Sequence, residues 1–460
     1  MKVINPANGS IVKELREDDS ISVARKIEQL KRGQIQWKEK PVAERLACIS
    51  QFGKLVQKNL DELALVLTSE TGKPIQQAYN EIKGAHNRIV HLEKNAEKWL
   101  ANEPVSADGP VREEIIFEPL GVIANISAWN FPYNVGYNVF LYALVAGNAV
   151  AYKPSEYASL TGLKIKELLW QAGVPKDVFE CFIGKGEVGE LLLEANLDGY
   201  FFTGSHKTGK QIAQRVASKL VPVQLELGGK DPLYVMEDVK DVKQAAINAA
   251  EGAFYNNGQS CCAVERIYVH EKIYEAFISN FIQEVSSYVI GDPMSKETFI
   301  GPLTRKEQVE FILNQVDEAV SKGAQLKIGG ERWGNGDGYF IYPTVLTDVR
   351  HDMALMKEES FGPVIGIQKV ASDEEAVNLM KDSEYGLTAA VFSSNEDRAR
   401  KILSQLPTGT AYWNCCDRVS PNLPWTGRKN SGLGVTLSYL GIRAFTQPKS
   451  YHLREGSVLT

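Results

Sequence analysis

A chain of 460 residues is more than one hydrophobic core serves, because cores stop growing near ~250–300 residues; two large units and a small appendage are expected. Hydrophobic residues make up 44% and charged residues 23%, the balance of an ordinary folded protein, which excludes a disordered chain. A formal charge of −6 with scattered Lys and Arg excludes a nucleic-acid partner, and no apolar run reaches the ~18 residues of a membrane span.

The start, Met1-Lys2-Val3-Ile4-Asn5-Pro6, lacks the apolar core of a secretory leader, so a cytoplasmic location is expected. Asp18 to Ser20 can cap a helix whose apolar positions Ile21, Val23, Ala24, Ile27 and Leu30 share one face. Pro41 suits a first helical turn, and Leu46, Ile49, Phe52, Leu55, Val56 and Leu60 again have helical spacing. The run continues to Leu67 and stops at Gly72-Lys73-Pro74, a turn signal. From Val111 the period changes. Ile115-Ile116-Phe117 and Val122-Ile123-Ala124 read as two strands joined by a tight turn at Glu118-Pro119.

Strand and helix then alternate: strand 149–152, helix 160–171, strand 178–183, helix 188–195, strand 200–202 and helix 208–220. This is the rhythm of an α/β fold with a parallel sheet covered on both faces. After Pro232 it resumes, with strands at 233–235 and 267–269 and helices over 242–254, 274–289 and 308–322. The boundary between two units is placed near residue 228, where Gly228-Gly229 could serve as a hinge.

Cysteines at 48, 181, 261, 262, 415 and 416 form no disulfide framework and no zinc spacing, and no metal is expected. In Asn256-Asn257-Gly258-Gln259-Ser260-Cys261-Cys262-Ala263 a thiol would become a nucleophile only as thiolate, which a loop entering a helix would favour; buried filler is the plain alternative. Glu226 lies in an apolar run, where burial would raise its pKa toward that of a general base unless Lys230 pairs with it. Asn130, in Ser127-Ala128-Trp129-Asn130-Phe131-Pro132, can offer a side-chain N–H to a reacting carbonyl; the plain alternative is a turn-forming Asn beside proline. Gly204-Ser205, with Gly209 after them, joins a strand to a helix and suits a pyrophosphate. The earlier Gly184-Lys185-Gly186-Glu187-Val188-Gly189 matches the dinucleotide fingerprint literally, and spacing alone leaves both open.

Taken in order, Trp-Asn-Phe-Pro, Lys-Pro-x-Glu, Phe-Thr-Gly-Ser-x-x-x-Gly, Leu-Glu-Leu-Gly-Gly-Lys, Gly-Gln-x-Cys and Glu-x-Phe-Gly-Pro resemble the aldehyde dehydrogenase superfamily over roughly residues 3 to 450. The resemblance implies a nucleophile at Cys261, a general base at Glu226 and an oxyanion site of Asn130 with the Cys261 backbone N–H. It implies NAD or NADP as cofactor, held by Ser127, Trp129, Lys153, Glu156, Gly186, Gly204, Ser205, Gly209, Gly228, Glu359 and Phe361. The pyrophosphate falls to the Gly204 turn, and a carboxylate at Glu156 favours NAD. Phe131, Val135, Asn138, Ser260, Cys262, Val419 and Trp425 would line the aldehyde tunnel, where Trp425 could face a cationic aldehyde. Arg418 and Arg428 are candidates for meeting a carboxylate, and Cys415-Cys416 for a disulfide with Cys261 should they lie near it.

The fold implied is aldehyde dehydrogenase-like: a Rossmann-type cofactor domain (1–100 and 120–227), an α/β catalytic domain (228–435) and a small β oligomerisation arm (101–119 and 436–460). Exposed edge strands in that arm would pair across a two-fold, giving a homodimer or homotetramer. The implied reaction oxidises an aldehyde to a carboxylic acid through a Cys261 thioester. Relatives that pass the acyl group to coenzyme A, or bind NAD without turnover, are the alternatives; Glu226 stands against the first and the intact Cys261, Glu226 and Asn130 against the second.

Overall fold

The computed structural model describes residues 1–108, 110–334 and 336–456. The first hundred residues are mainly helical, over Ser20–Lys38, Val42–Lys58, Leu60–Thr71 and Ile75–Leu100. Asp19 caps the first: its carboxylate accepts the Ser22 N–H at 2.8 Å while the Ser22 hydroxyl accepts the Asp19 N–H at 2.9 Å. Gly72, left-handed at φ +78°, ends the third helix at the expected turn. A hairpin of Lys2–Ile4 with Ile11–Glu14 precedes them and was not legible, because its second strand is exposed and carries no alternation.

Six strands form the first large sheet, in the order Gly432–Leu433, Val223–Glu226, Gly199–Thr203, Val122–Ile126, Ala149–Lys153, Phe179–Cys181. All pairs are parallel except the first. The chain runs outward from Val122–Ile126 to one side, then returns to build the other, so a topological switch lies between Val122–Ile126 and Gly199–Thr203. Helices Pro132–Ala146, Ser159–Gln171, Gly186–Glu194 and His206–Val216 connect the strands. Val23, Ile27, Ile49, Phe52 and Ile82 from the early helices share one core with Ile123, Val150 and Phe201.

The second sheet has seven strands, in the order Gln325–Ile328, Thr344–Thr347, Val364–Val370, Val264–His270, Asp231–Val235, Thr388–Phe392, Thr410–Trp413, parallel except at Gln325–Ile328. Its side chains alternate between two cores. Tyr234 and Tyr268 enter one, while Leu233, Val235, Ile267 and Val269 enter the other. A sheet buried on both faces accounts for these continuous apolar runs.

Val111–Pro119 and Val122–Ile126 do not pair with each other as expected. The former joins Glu103–Asp108 and Thr446–Arg454 in a separate antiparallel sheet, and Gly121, at φ +135°, redirects the chain between the two. Gly432–Leu433 pairs with Leu225 and Glu226, so the span before residue 435 also reaches the six-stranded sheet. Gly228 and Gly229 are close-approach positions: a Cβ at Gly228 would sit 2.2 Å from a Glu359 carboxylate oxygen, and one at Gly229 2.7 Å from the Cys261 carbonyl oxygen.

Candidate active site

Register aligns the carboxyl ends of the six-stranded sheet: Ile126 stands opposite Lys153 and Phe202, and Thr203 opposite Glu226. The loops that leave these ends therefore gather at one edge, the usual place for ligands in an open parallel sheet. They carry Ser127 to Asn130, Lys153 to Glu156, Gly204-Ser205 and Leu227 to Gly229.

Cys261 reaches that edge from the other sheet, on a turn between Tyr255–Gly258 and the strand Val264–His270. No helix follows it, so the helix N-terminus suggested by the sequence does not contribute. The loop is fixed instead by consecutive left-handed residues, Asn256 (φ +54°), Asn257 (φ +57°) and Gly258 (φ +69°). Asparagine tolerates this geometry better than most residues, and side-chain bonds hold it. Asn256 donates through Nδ2 to the carbonyls of Asn130 (3.2 Å) and Gln259 (3.0 Å), and Asn257 donates to Pro302 (2.9 Å). Gln259 accepts the Thr304 N–H at 3.0 Å.

A cavity of about 520 Å³ opens over Cys261. Asn130 and Glu226 line it, as do all the residues expected in the tunnel: Phe131, Val135, Asn138, Ser260, Cys262, Val419 and Trp425. Thr203 and Leu227 also line it, so it extends to the edge of the six-stranded sheet. Asn130 Nδ2 donates to the Gln259 carbonyl at 3.1 Å, which leaves its second N–H, and the Cys261 backbone N–H has no acceptor among the described residues. Lys73 supports Asn130 from behind, donating to its carbonyl at 2.7 Å while paired with buried Glu81.

Glu226 is 7% exposed; one carboxylate oxygen accepts from Gln224 Nε2 at 3.1 Å and the other has no partner among the described residues. Burial pushes its carboxyl well above the ordinary range, against a small opposing pull from Gln224. Lys230 is not its partner. That ammonium pairs with Glu265 at 2.6 Å, and Glu265 in turn accepts the backbone N–H groups of Ser360 (2.8 Å) and Phe361 (2.9 Å).

None of the residues expected to hold the cofactor lines this cavity. Glu359 accepts the Gly229 N–H at 3.0 Å, with its carboxyl lifted to about 8 by burial and by the neighbouring Glu265 charge. Phe361, itself left-handed at φ +47°, meets Trp129 edge-on at 5.5 Å, and Trp129 meets Tyr157 at 6.3 Å. Lys153 is buried, with Pro154 O at 3.3 Å as its acceptor and Glu156 close by; a Cβ on Gly189 would lie 3.8 Å from its stem. Ser205 caps His206–Val216, the Gly204 N–H is already given to the Glu226 carbonyl at 3.0 Å, and Gly209 lies against Leu227.

A dinucleotide fits these residues. The buried Ser127 hydroxyl has no partner among the described residues, the Lys153 ammonium is under-coordinated, and open space surrounds the position of a Cβ at Gly186. Among the described residues no group of His, Cys, Asp and Glu could hold a metal, and no helix is long and apolar enough to cross a membrane.

The family model described as "Aldehyde dehydrogenase family" matches residues 1–451. The chain belongs to the aldehyde dehydrogenase family. It is 35% identical to a succinate-semialdehyde dehydrogenase [NADP(+)] of Deinococcus radiodurans, over 97% of this chain and 93% of that protein. It is 34% identical to a betaine aldehyde dehydrogenase of Vibrio vulnificus, over 99% of this chain and 94% of that protein. A crystal structure of an NAD-dependent aldehyde dehydrogenase from Sinorhizobium meliloti superposes with a TM-score of 0.97 at 31% identity, covering 100% of this chain and 92% of that one.

This aldehyde dehydrogenase is accordingly an NAD(P)-dependent oxidoreductase acting on aldehydes, with the α/β fold of its relatives. Among the cavity residues that sequence reasoning overlooked, two are charged side chains beside the reacting groups or deep in the cavity, Asp417 and Arg88. Asp417, on a left-handed turn (φ +47°), accepts from the Ser260 hydroxyl at 2.9 Å and the Cys262 thiol at 3.1 Å, gripping both neighbours of Cys261. No local pattern marks it. Arg88 is buried on Ile75–Leu100 among Ile82, Ala85 and Ile89, and a charge inside that apolar stripe was the available signal. Arg418 lines the cavity mouth, whereas Arg428 lies on an exposed strand beside Tyr385–Gly386 and does not. Cys415 and Cys416 line the same cavity as Cys261, and all six thiols are free.

Proposed function

We propose that this aldehyde dehydrogenase is of the hydrolytic kind, forming a thioester on Cys261 and releasing it as a carboxylic acid with Glu226 as general base. The observation that carries the reading is Glu226 itself: a buried carboxylate with one oxygen unpartnered among the described residues, lining the same cavity as Cys261. The Cys261 thiol gives its proton to water, its sulfur adds to the aldehyde carbon, and the new oxyanion accepts from Asn130 Nδ2 and the Cys261 N–H. A bound nicotinamide would supply the hydride acceptor that turns this adduct into the thioester. Glu226 then takes a proton from water, the hydroxyl adds to the thioester carbonyl, and the C–S bond breaks to return the thiol. Neighbouring Cys261, burial and the Asp417 carboxylate all raise the pKa of the Cys262 thiol, which donates to Asp417 at 3.1 Å, so Cys262 is the poorer nucleophile.

Ser127, Trp129, Lys153, Glu156, Gly186, Gly204, Ser205, Gly209, Gly228, Glu359 and Phe361 would hold the cofactor, with Glu156 favouring NAD over NADP by repelling a 2′-phosphate. The candidate substrates on this reading are a semialdehyde, a betaine or amino-aldehyde, or a simple aliphatic or aromatic aldehyde. We take 1–100 with 120–227 as the cofactor domain, 228–435 as the catalytic domain, and 101–119 with 436–460 as an arm joining subunits of a cytoplasmic homodimer or homotetramer. The test is reduction of NAD and NADP, followed by absorbance, across a panel of these aldehydes. Turnover that favours NAD and vanishes in Cys261→Ala is expected. Turnover that survives the substitution, or needs coenzyme A, refutes the reading.

A further inference from the structure

Three arginines are buried to 6% exposure or less, and their surroundings differ. Arg45 gives its N–H groups to the carbonyls of Val145, Lys38 and Lys40, and Arg266 to those of Lys230, Leu379 and Met380. Arg88, 4% exposed, donates only through Nε, to Asn138 Oδ1 at 2.5 Å; its two terminal nitrogens have no acceptor among the described residues. Burying a guanidinium with unused donors is costly unless something else supplies the acceptors. Desolvation lowers its pKa to about 10, which still leaves it charged at neutral pH.

Arg88 lines the cavity over Cys261, on the same face of Ile75–Leu100 as Glu81 and Gly84. A Cβ at Gly84, one turn earlier, would meet nothing within 4 Å, so space is open beside the guanidinium. The Glu81 charge is near enough to favour the charged form of Arg88, but no carboxylate of the cavity bonds the guanidinium among the described residues. Glu81 is taken by Lys73 and the Tyr133 N–H, Asp417 by Ser260 and Cys262, and Glu226 accepts from Gln224. Glu251 is exposed at the mouth.

We propose that Arg88 is an anion subsite and that the substrate is an aldehyde bearing a carboxylate at the end remote from its carbonyl. This rests on the reading that Cys261 attacks the aldehyde in this cavity. Asn138 fixes the guanidinium through Nε, and the free Nη edge presents two parallel donors, the geometry that suits a carboxylate. The same charge repels a trimethylammonium aldehyde, so Trp425 acts as an apolar wall and not as a cation box.

The experiment compares kcat/KM of the full-length enzyme for 4-oxobutanoate and 5-oxopentanoate with that for butanal, pentanal and a trimethylammonium aldehyde. The wild-type enzyme prefers the oxo acids. In Arg88→Met the ratio of oxo-acid to alkanal kcat/KM falls by about 30- to 1000-fold, mainly through KM, the loss expected for removing one partner of a buried charge pair. Arg88→Lys recovers part of it. Butanedioate competes with the aldehyde in the wild type and loses that competition in Arg88→Met. A wild-type enzyme that oxidises butanal as well as 4-oxobutanoate overturns the proposal, and so does an Arg88→Met that loses both equally. Failure of the underlying reading looks different: no aldehyde is oxidised, or oxidation survives Cys261→Ala.

Discussion

Glu226 sits where two demands conflict. A carboxylate prefers water, yet a base that must activate a single water works best in a site with few competing partners, where its pKa approaches the working pH. Burial raises its pKa, and Gln224 alone moderates the rise. A base acts only when unprotonated, so deacylation should climb as pH rises through the raised Glu226 pKa and then level off. In Glu226→Gln that limb disappears and steady-state turnover falls by ~10²–10⁴-fold, while a first burst of reduced cofactor persists. Stopped-flow measurement of burst and steady state over pH decides it; unchanged steady-state turnover in the variant removes Glu226 from the mechanism. Lys230 is informative by contrast. The sequence put it four residues after Glu226 at a strand end, but the parallel strand Val264–His270 brings Glu265 to it instead.

Among the elements, the Tyr255–Gly258 turn does most to place the thiol. Its left-handed residues cost up to ~1–2 kcal/mol each for ordinary side chains, which is why asparagine and glycine occupy them. At Gly258 the constraint is doubled: φ is +69° and an added Cβ would lie 2.2 Å from the Gly362 carbonyl oxygen. Gly258→Ala is therefore expected to lower the thermal unfolding midpoint and to slow alkylation of Cys261 by iodoacetamide. Gly186→Ala, with nothing within 4 Å of the new methyl, should leave the midpoint where it is. Equal midpoints for the two variants would mean that the turn relaxes freely. The helices around the site were largely legible, since Val242–Phe254 and Ser159–Gln171 bury one regular stripe. Strands such as Thr344–Thr347 and Thr388–Phe392, buried at every position, offer no alternation to read.

At the scale of the whole molecule, the small sheet of Glu103–Asp108, Val111–Pro119 and Thr446–Arg454 stands apart from the two large ones. Most of Thr446–Arg454 is exposed, and as an edge strand it has unpaired backbone groups on one side. If this arm joins subunits, ending the chain at Phe445 should shift the sedimenting species from dimer or tetramer to monomer. Unchanged far-UV circular dichroism serves as the check on folding. A truncated protein that sediments as the same oligomer places the interface elsewhere.

By itself the sequence determined the class of fold and the family, because each rests on local rules. Periodicity follows from burying one face, turn glycines from left-handed or close-packed backbone, and the ordered motifs from the loops that leave parallel strands. Only the tertiary structure decided which charges meet. Lys230 with Glu265, Asp417 with Ser260 and Cys262, and Arg88 with Asn138 are partners separated by at least 35 residues, brought together by strand order and helix packing. The energy of a buried charge depends on what lies within a few ångströms of it, and chain distance carries almost none of that information.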